Sequence, residues 1–220
     1  MTATPASLAG LYVGTSGWSY PSWKPGFYAA GTKSADFLRY YAERFPTVEL
    51  NTTGYRLPRE ELFGRWAEQT PIGFRFAPKL NAHRRSDYGT FAERVGLLGE
   101  RLGPIRVLVA AARDEGLLAL VLGSFDPSLS LAMDFRHESW NGIEAELPSN
   151  AVRVNALEAD APFRYLRLRE PPYDEQALRK LAERIDPLLA AGIRVYCYFK
   201  HEDEPTAPEY AAKLLAALGG

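Results

Sequence analysis

The sequence predicts one α/β domain folded as a TIM-like (β/α) barrel of about eight parallel strands, small for its class. Three observations carry this. Short β-like runs alternate with helix-like runs from end to end, and that alternation implies parallel strands joined by crossover helices. The strand-like runs number about eight, as a closed barrel requires. The chain has 220 residues, near the lower size limit of such barrels. That length suffices to remove roughly 70–75% of the unfolded surface from water. A doubly wound open sheet shares the alternation. However, Gly14-Thr15-Ser16-Gly17 leads into a loop, where a dinucleotide-binding turn would open a helix.

Each element follows from local pattern. Tyr12–Trp18 reads as the first strand and residues 17–33 as a loop rich in Gly, Ser, Pro and aromatics. Ser34 is placed to cap a helix with Phe37, Leu38, Tyr41 and Phe45 on one stripe. Thr47–Thr53 is the second strand, before a helix bearing Leu62, Phe63 and Trp66. Phe74–Leu80 alternates cleanly as the third strand. Thr90 opens a helix with Phe91, Val95, Leu98 and Leu102 at helical spacing. Ile105–Ala111 reads as a continuous apolar fourth strand, and Glu115–Leu122 as helix. Leu129–Arg136 is the fifth strand, Gly142–Leu147 one irregular helical turn, and Val152–Leu157 a weak sixth strand. Arg164–Arg169 is the seventh, before a strong helix over Asp174–Leu189 with Leu178, Leu181, Ile185 and Leu188. Arg194–Lys200 is the last strand. Thr206 and Glu209 make a capping-box pair before a final helix with Tyr210, Leu214 and Leu215. No repeat, linker or low-complexity tract interrupts, so residues 1–220 read as a single domain, with 1–10 a candidate disordered start.

Composition narrows the function classes. Hydrophobic residues make up 46%, charged residues 24% and aromatics 12%, proportions that exclude disordered and collagenous chains. Lys plus Arg total 26 against 27 Asp plus Glu. That balance excludes a wholly basic nucleic-acid coat, leaving room for a local patch. With Cys197 the single cysteine, no intrachain disulfide or thiolate metal cluster can form. Met1–Gly10 lacks a basic n-region, and the longest apolar-rich run, around Leu117–Leu122, falls short of the ~20 residues that span a bilayer. The expectation is a cytoplasmic protein with no membrane partner.

The strands carry the functional signal. Side chains alternate across a strand, one face toward the helices and one toward the barrel axis. The helix-facing sets are apolar: Val48 and Leu50; Phe74 and Phe76; Leu131, Met133 and Phe135; Leu166 and Leu168; Val195, Cys197 and Phe199. The opposite sets are polar: Glu49, Asn51 and Thr53; Arg75 and Lys79; Asp134 and Arg136; Arg167 and Arg169; Tyr196, Tyr198 and Lys200. Barrel interiors ordinarily use Val, Ile and Leu; this one holds six cations and two carboxylates. Some pairs read as structural salt bridges, Glu49 with Arg75 or Asp134 with Arg167, because buried charges are paired. Lys79, Arg136, Arg169 and Lys200 end their strands, at the face where barrel active sites lie. Two carboxylates do not neutralise six cations, and Arg forks suit phosphate or carboxylate.

Several motifs resemble one family. Gly14-Thr15-Ser16-Gly17-Trp18-Ser19-Tyr20 with Trp23, then Val48-Glu49-Leu50-Asn51-Thr52-Thr53 with Tyr55-Arg56-Leu57-Pro58, resemble the YecE-like family (domain of unknown function 72). Trp66 before Thr70-Pro71, Phe74-Arg75-Phe76-Ala77 with Lys79, and Leu102-Gly103-Pro104 continue the match. So do Phe135-Arg136-His137 with Ser139-Trp140, Tyr165 with Arg167-Leu168, and Tyr196 with Tyr198-Phe199. The resemblance implies a TIM-like barrel with no agreed activity. The chain departs from the family pattern at strand ends: Gly54 where Phe is usual, Leu108-Val109-Ala110-Ala111 for Gln-Leu-Pro-Pro, and Asp134 for Glu. Arg167-Leu168-Arg169-Glu170 replaces Arg-Leu-His-Gly, Lys200-His201-Glu202 replaces Asn-Asn-Asp, and the segment between Trp140 and Tyr165 is shortened.

The candidate residues follow from these placements. Glu49 is the general-base candidate, a carboxylate whose pKa a barrel interior can tune. His137, at a strand end, is a candidate acid or base, and Asp134 is placed to orient Arg136. Arg75, Lys79, Arg136, Arg167, Arg169 and Lys200 are candidate anion ligands, with Asn51 and Tyr198 beside them. Trp18, Tyr20, Trp23, Tyr55 and Trp140 lie in loops at the same end, to stack on a planar group or to pack over the mouth. His83 and His201 read as ordinary loop residues, and Ser16 and Ser19 lack a nucleophile context. No P-loop, HExxH, CxxC or Ser-His-Asp signature occurs, so no cofactor is expected. Chemistry is expected to be metal-independent, or to use a single Mg²⁺ on Glu49 and Asp134. The leading expectation is a pocket that binds, and hydrolyses, an anionic phosphate-bearing substrate. The alternative is a non-catalytic nucleic-acid or nucleotide binder using the same cations and aromatics.

Overall fold

The computed structural model describes residues 9–200 and 204–219. Eight strands form one parallel sheet: β1 Leu11–Thr15, β2 Thr47–Leu50, β3 Arg75–Asn81, β4 Ile105–Val109, β5 Leu131–Phe135, β6 Ala151–Arg153, β7 Phe163–Leu168 and β8 Arg194–Phe199. Their order, β6-β5-β4-β3-β2-β1-β8-β7, brings the two end strands to adjacent places in the chain. The sheet therefore curls into a nearly closed barrel, as the strand count predicts. The open doubly wound alternative is excluded by this order.

At the β6/β7 seam one residue, Asn155, bridges the strands with its backbone and its side chain. Asn155 donates its amide to the Tyr165 carbonyl at 2.9 Å. Its Oδ1 accepts the Arg167 amide at 2.7 Å, and its Nδ2 donates to the Arg167 carbonyl at 3.3 Å. The side chain thus stands in for the missing ladder. Asn155 holds this position at φ 67°, in the left-handed region that Asn visits more readily than other residues with a Cβ.

The helices are α1 Phe37–Ala42, α2 Glu60–Glu68, α3 Tyr88–Gly96, α4 Glu115–Gly123, α5 Glu175–Ala190 and α6 Thr206–Gly219. Asp114 caps α4 by accepting the Leu117 amide at 2.9 Å, and Asp174 caps α5 by accepting that of Ala177 at 2.7 Å. Three expected caps lie elsewhere. Ser34 begins a 3-10 turn ahead of α1, and Thr206 is the first residue of α6. Thr90 lies inside α3, because buried Tyr88 anchors the helix start with its hydroxyl on the Ala82 carbonyl. Between β5 and β6 the chain makes only 3-10 turns, at Glu138–Trp140 and Ile143–Glu146, and no helix separates β6 from β7, which is where the alternation fails. The expectation for residues 1–10 falls mostly outside the described residues, but Gly10 accepts the Val195 amide at 2.8 Å and belongs to the barrel edge.

Apolar side chains form two layers. Val13, Val48, Leu50, Phe76, Val107, Met133, Cys197 and Phe199 pack outward against the helices. Ala77, Ala132, Val152, Phe163, Tyr165, Tyr196 and Tyr198 fill the interior. Gly14 permits the close approach of β1 and β2, since a Cβ there would sit 2.1 Å from the Thr47 carbonyl oxygen. Among the described residues, no helix is long and apolar enough to cross a membrane.

Candidate functional site

A layer of charge closes the interior above the tyrosines. Arg106, on β4, is fully buried and joins two buried carboxylates. Its Nη1 donates to Glu49 Oε1 at 3.1 Å, while Nε and Nη2 donate to Asp134 Oδ2 at 2.8 and 2.7 Å. Nη1 also reaches Asn51 Oδ1 at 3.2 Å. Burial alone would weaken the protonated guanidinium, but attraction to Glu49 and then Asp134 outweighs it and raises the pKa.

Glu49 takes further donors from β7: Arg167 Nε at 3.0 and 3.2 Å to its two oxygens, and the Tyr165 hydroxyl at 2.8 Å. Each Glu49 oxygen therefore accepts two donors inside the protein. Asp134 similarly gathers Arg136 Nη2 at 2.8 Å and, more loosely, Arg169 Nη2 at 3.8 Å. The period-2 argument thus holds for Glu49, Asn51, Asp134, Arg136, Arg167 and Arg169, which share one cluster. Buried Lys79 adjoins it, its Nζ 4.1 Å from the centroid of the Tyr55 ring.

The expected pairings differ from those observed. Arg75 faces Thr47 in the β2/β3 register, at the opposite end of the barrel from the mouth. Its guanidinium donates to the Ile72 and Phe74 carbonyls at 2.9 and 3.0 Å and lies 5.8 Å from the Tyr12 ring. It pairs with no carboxylate of the cluster, so the Glu49–Arg75 bridge does not form. Asp134 pairs with Arg106, and Arg167 goes to Glu49 instead.

The aromatics divide between packing and exposure. Trp18 packs edge-on against Trp66 at 5.4 Å and Phe76 at 6.5 Å. Trp23 is fully buried, and Trp140 stacks on Phe135 at 4.4 Å with Nε1 donating to the Ala111 carbonyl. Trp23 and Trp140 are buried in securing loops to the barrel, while Trp18 is half-buried beside them. Tyr20 donates to the Ser16 carbonyl at 3.0 Å, and burial, then Glu49, push its phenol up to about 12. Tyr198 is buried, its hydroxyl 2.8 Å from that of Thr47. Tyr55, by contrast, is 74% exposed.

His137 is held in its loop: Nδ1 accepts the Ser139 amide at 3.2 Å and lies 2.9 Å from the Ser139 hydroxyl. Lys200 is exposed at the end of β8, its amide on the Leu168 carbonyl. His83 is an exposed loop residue, and His201 lies outside the described residues. A Mg²⁺ shared by Glu49 and Asp134 does not fit, because the guanidinium of Arg106 occupies the space between them.

Sequence reasoning missed Arg106 and Tyr165 as members of the cluster. A period-2 count within Ile105–Val109 would have found Arg106, since Ile105, Val107 and Val109 all face the helices.

Relatives share this architecture. The model of the family described as "Protein of unknown function DUF72" matches residues 12–220. The UPF0759 protein YecE of Escherichia coli K12 is 43% identical over 72 residues, 33% of this chain and 24% of that protein. The UPF0759 protein YunF of Bacillus subtilis is 23% identical over 154 residues, covering 59% of this chain and 52% of that one. The aligned part of the chain thus spans between a quarter and about half the length of these relatives. A DUF72 family crystal structure from Enterococcus faecalis superposes with a TM-score of 0.76 at 16% identity, covering 94% of this chain and 95% of that one. One from Thermotoga maritima does so with a TM-score of 0.74 at 22% identity, covering 96% and 99%. At such identities the likeness concerns the fold alone. With a family model matched along nearly its whole length, the chain belongs to the DUF72 family of proteins of unknown function.

Proposed function

We propose that this protein binds a small phosphate-bearing molecule at the C-terminal mouth of the barrel, with Arg136 and Arg169 as its outermost ligands. One observation carries the reading: among the described residues, four guanidiniums, those of Arg106, Arg136, Arg167 and Arg169, share only two carboxylates. Arg136 and Arg169 both lean on Asp134, which carries one charge, and both side chains remain 30% exposed. An anion above Asp134 would complete their coordination, and guanidinium forks suit phosphate oxygens. Lys79 adds a further positive charge beneath the mouth.

The test is thermal unfolding in phosphate against chloride at matched ionic strength. A ligand bound only by the native state stabilises it by about 2.7 kcal/mol at a hundredfold excess over Kd. Each kcal/mol raises the Tm of a domain this size by about 2–4 °C. Arg136→Met should remove the phosphate-specific rise. A rise of equal size in Arg136→Met would place binding elsewhere.

A further inference from the structure

We propose that Tyr55 is a catalytic proton donor and acceptor at this mouth, paired with Lys79, and that the reaction it serves is hydrolysis of a phosphate ester. The proposal rests on the anion-binding reading above and goes beyond it by naming the group that moves the proton.

The geometry separates a fixed backbone from an open ring. Tyr55 follows the 3-10 turn Thr52–Gly54, and its amide donates to the Thr52 carbonyl at 3.0 Å. The Arg84 guanidinium holds the Tyr55 carbonyl, and Arg84 is itself paired with Asp87 at 2.6 Å. Thr53 ties the turn to β3, its hydroxyl accepting the Lys79 amide at 3.0 Å. The Tyr55 ring nevertheless protrudes into solvent. Lys79 runs beneath it through space that only glycine leaves free: a Cβ on Gly54 would lie 2.7–2.9 Å from Lys79 Cδ, Cγ and Cε. Confined in this way, the ammonium meets the ring face.

Among the described residues, the charged groups acting on the phenol are all cations: Lys79 from β3, then Arg106 from β4 and Arg167 from β7. Its interaction with Lys79 holds the phenol below its ordinary value. Tyr20 and Tyr165, nearer the carboxylates, are shifted upward by burial and Glu49. Of the other candidates, Glu49 accepts four contacts from within, Asp134 is covered by guanidiniums, and His137 turns its Nδ1 to Ser139 in its own loop. Tyr55, exposed above Lys79, is the group to which the proposal gives the proton transfer. As water forms a new P–O bond and the ester P–O bond breaks, the Tyr55 hydroxyl passes its proton to the departing oxygen. Lys79 stabilises the phenolate, which then takes a proton from the added water, giving alcohol and hydrogen phosphate.

Two measurements test this. In a near-ultraviolet phenolate titration, the wild type minus Tyr55→Phe difference should show one tyrosine ionising below the ordinary value of about 10. Lys79→Met and Gly54→Ala should both move that ionisation upward. In parallel, aryl phosphates of graded leaving group are offered to wild type and Tyr55→Phe. A general acid contributes typically 10²–10⁴-fold, so Tyr55→Phe should lose about that factor on phenyl phosphate and little on p-nitrophenyl phosphate, which needs no proton. The proposal is overturned by Tyr55 ionising at or above about 10, by equal losses across the series, or by wild type inert on every ester. Phosphate-dependent Tm in Tyr55→Phe keeps the two readings distinct: its persistence alongside any of those results sinks the proton role alone, and its absence in wild type sinks the anion site.

Discussion

Replacing Glu49 by Gln separates a structural carboxylate from a catalytic one before any substrate is known. The amide is nearly isosteric, yet it meets three donors, Arg106 Nη1, Arg167 Nε and the Tyr165 hydroxyl, all within 3.2 Å. Arg106 retains Asp134, whereas Arg167, nine-tenths buried, loses its one carboxylate. Removing one partner of a buried pair typically costs about 3–5 kcal/mol. For a chain of this size that corresponds to a fall in Tm of roughly 6–20 °C. The assay is thermal and urea unfolding of wild type, Glu49→Gln, Arg167→Met and the double variant. The double variant should be less impaired than the two single losses added together, since each leaves the other group stranded. Phosphate should restore more stability to Glu49→Gln than to wild type, because the released Arg167 adds to the positive mouth. A Glu49→Gln protein melting within about 1 °C of wild type, a shift well under 1 kcal/mol, would refute the structural assignment and return Glu49 to the general-base role.

Two further perturbations probe the barrel that holds the site. Asn155→Ala removes two side-chain bonds at the β6/β7 seam, each worth about 0.5–1.5 kcal/mol net. It also leaves Ala at a left-handed φ that costs about 1–2 kcal/mol, so a loss of roughly 2–5 kcal/mol is expected. Hydrogen exchange at the Arg167 amide should quicken, and unchanged exchange would show that the seam does not depend on Asn155. Stability should also fall at high pH. Burial raises the folded pKa of Tyr20 and Tyr196 to about 12 and that of Tyr165 and Tyr198 further. These groups lend full stability below the unfolded tyrosine value of about 10, and the contribution is lost as pH climbs above it. A urea midpoint that stays flat from pH 9 to about 11.5 would contradict the buried tyrosine layer.

The parallel barrel was legible because strand-like and helix-like runs alternate, and five of the strands carry a helix-facing apolar set that period-2 counting isolates without any knowledge of pairing. The polar interior was legible for the same reason. Which charges meet was not, because barrel stagger sets the levels at which side chains share a layer. Arg75 and Glu49 look adjacent in a list of inner residues, yet the register sets Arg75 against Thr47 and Ala77 against Glu49. Arg106 was hidden by its neighbours, since four apolar residues in Ile105–Val109 make the run look uniformly buried. Loop aromatics presented a different difficulty. Trp18, Trp140 and Tyr55 share a residue class and a barrel end, and only the packing distinguishes two anchors from one exposed ring. Gly54, read as a departure from the family pattern, acquires a physical meaning beside the Lys79 stem it accommodates.

The central claim is that the guanidinium excess at the barrel mouth binds an anion, and calorimetric titration with inorganic phosphate tests it most directly. Wild type should give a saturable one-site isotherm that weakens with added salt, and Arg136→Met/Arg169→Met should give none while unfolding with an unchanged cooperative transition. An isotherm that survives in the double variant, or a wild type that binds no phosphate, would contradict the account.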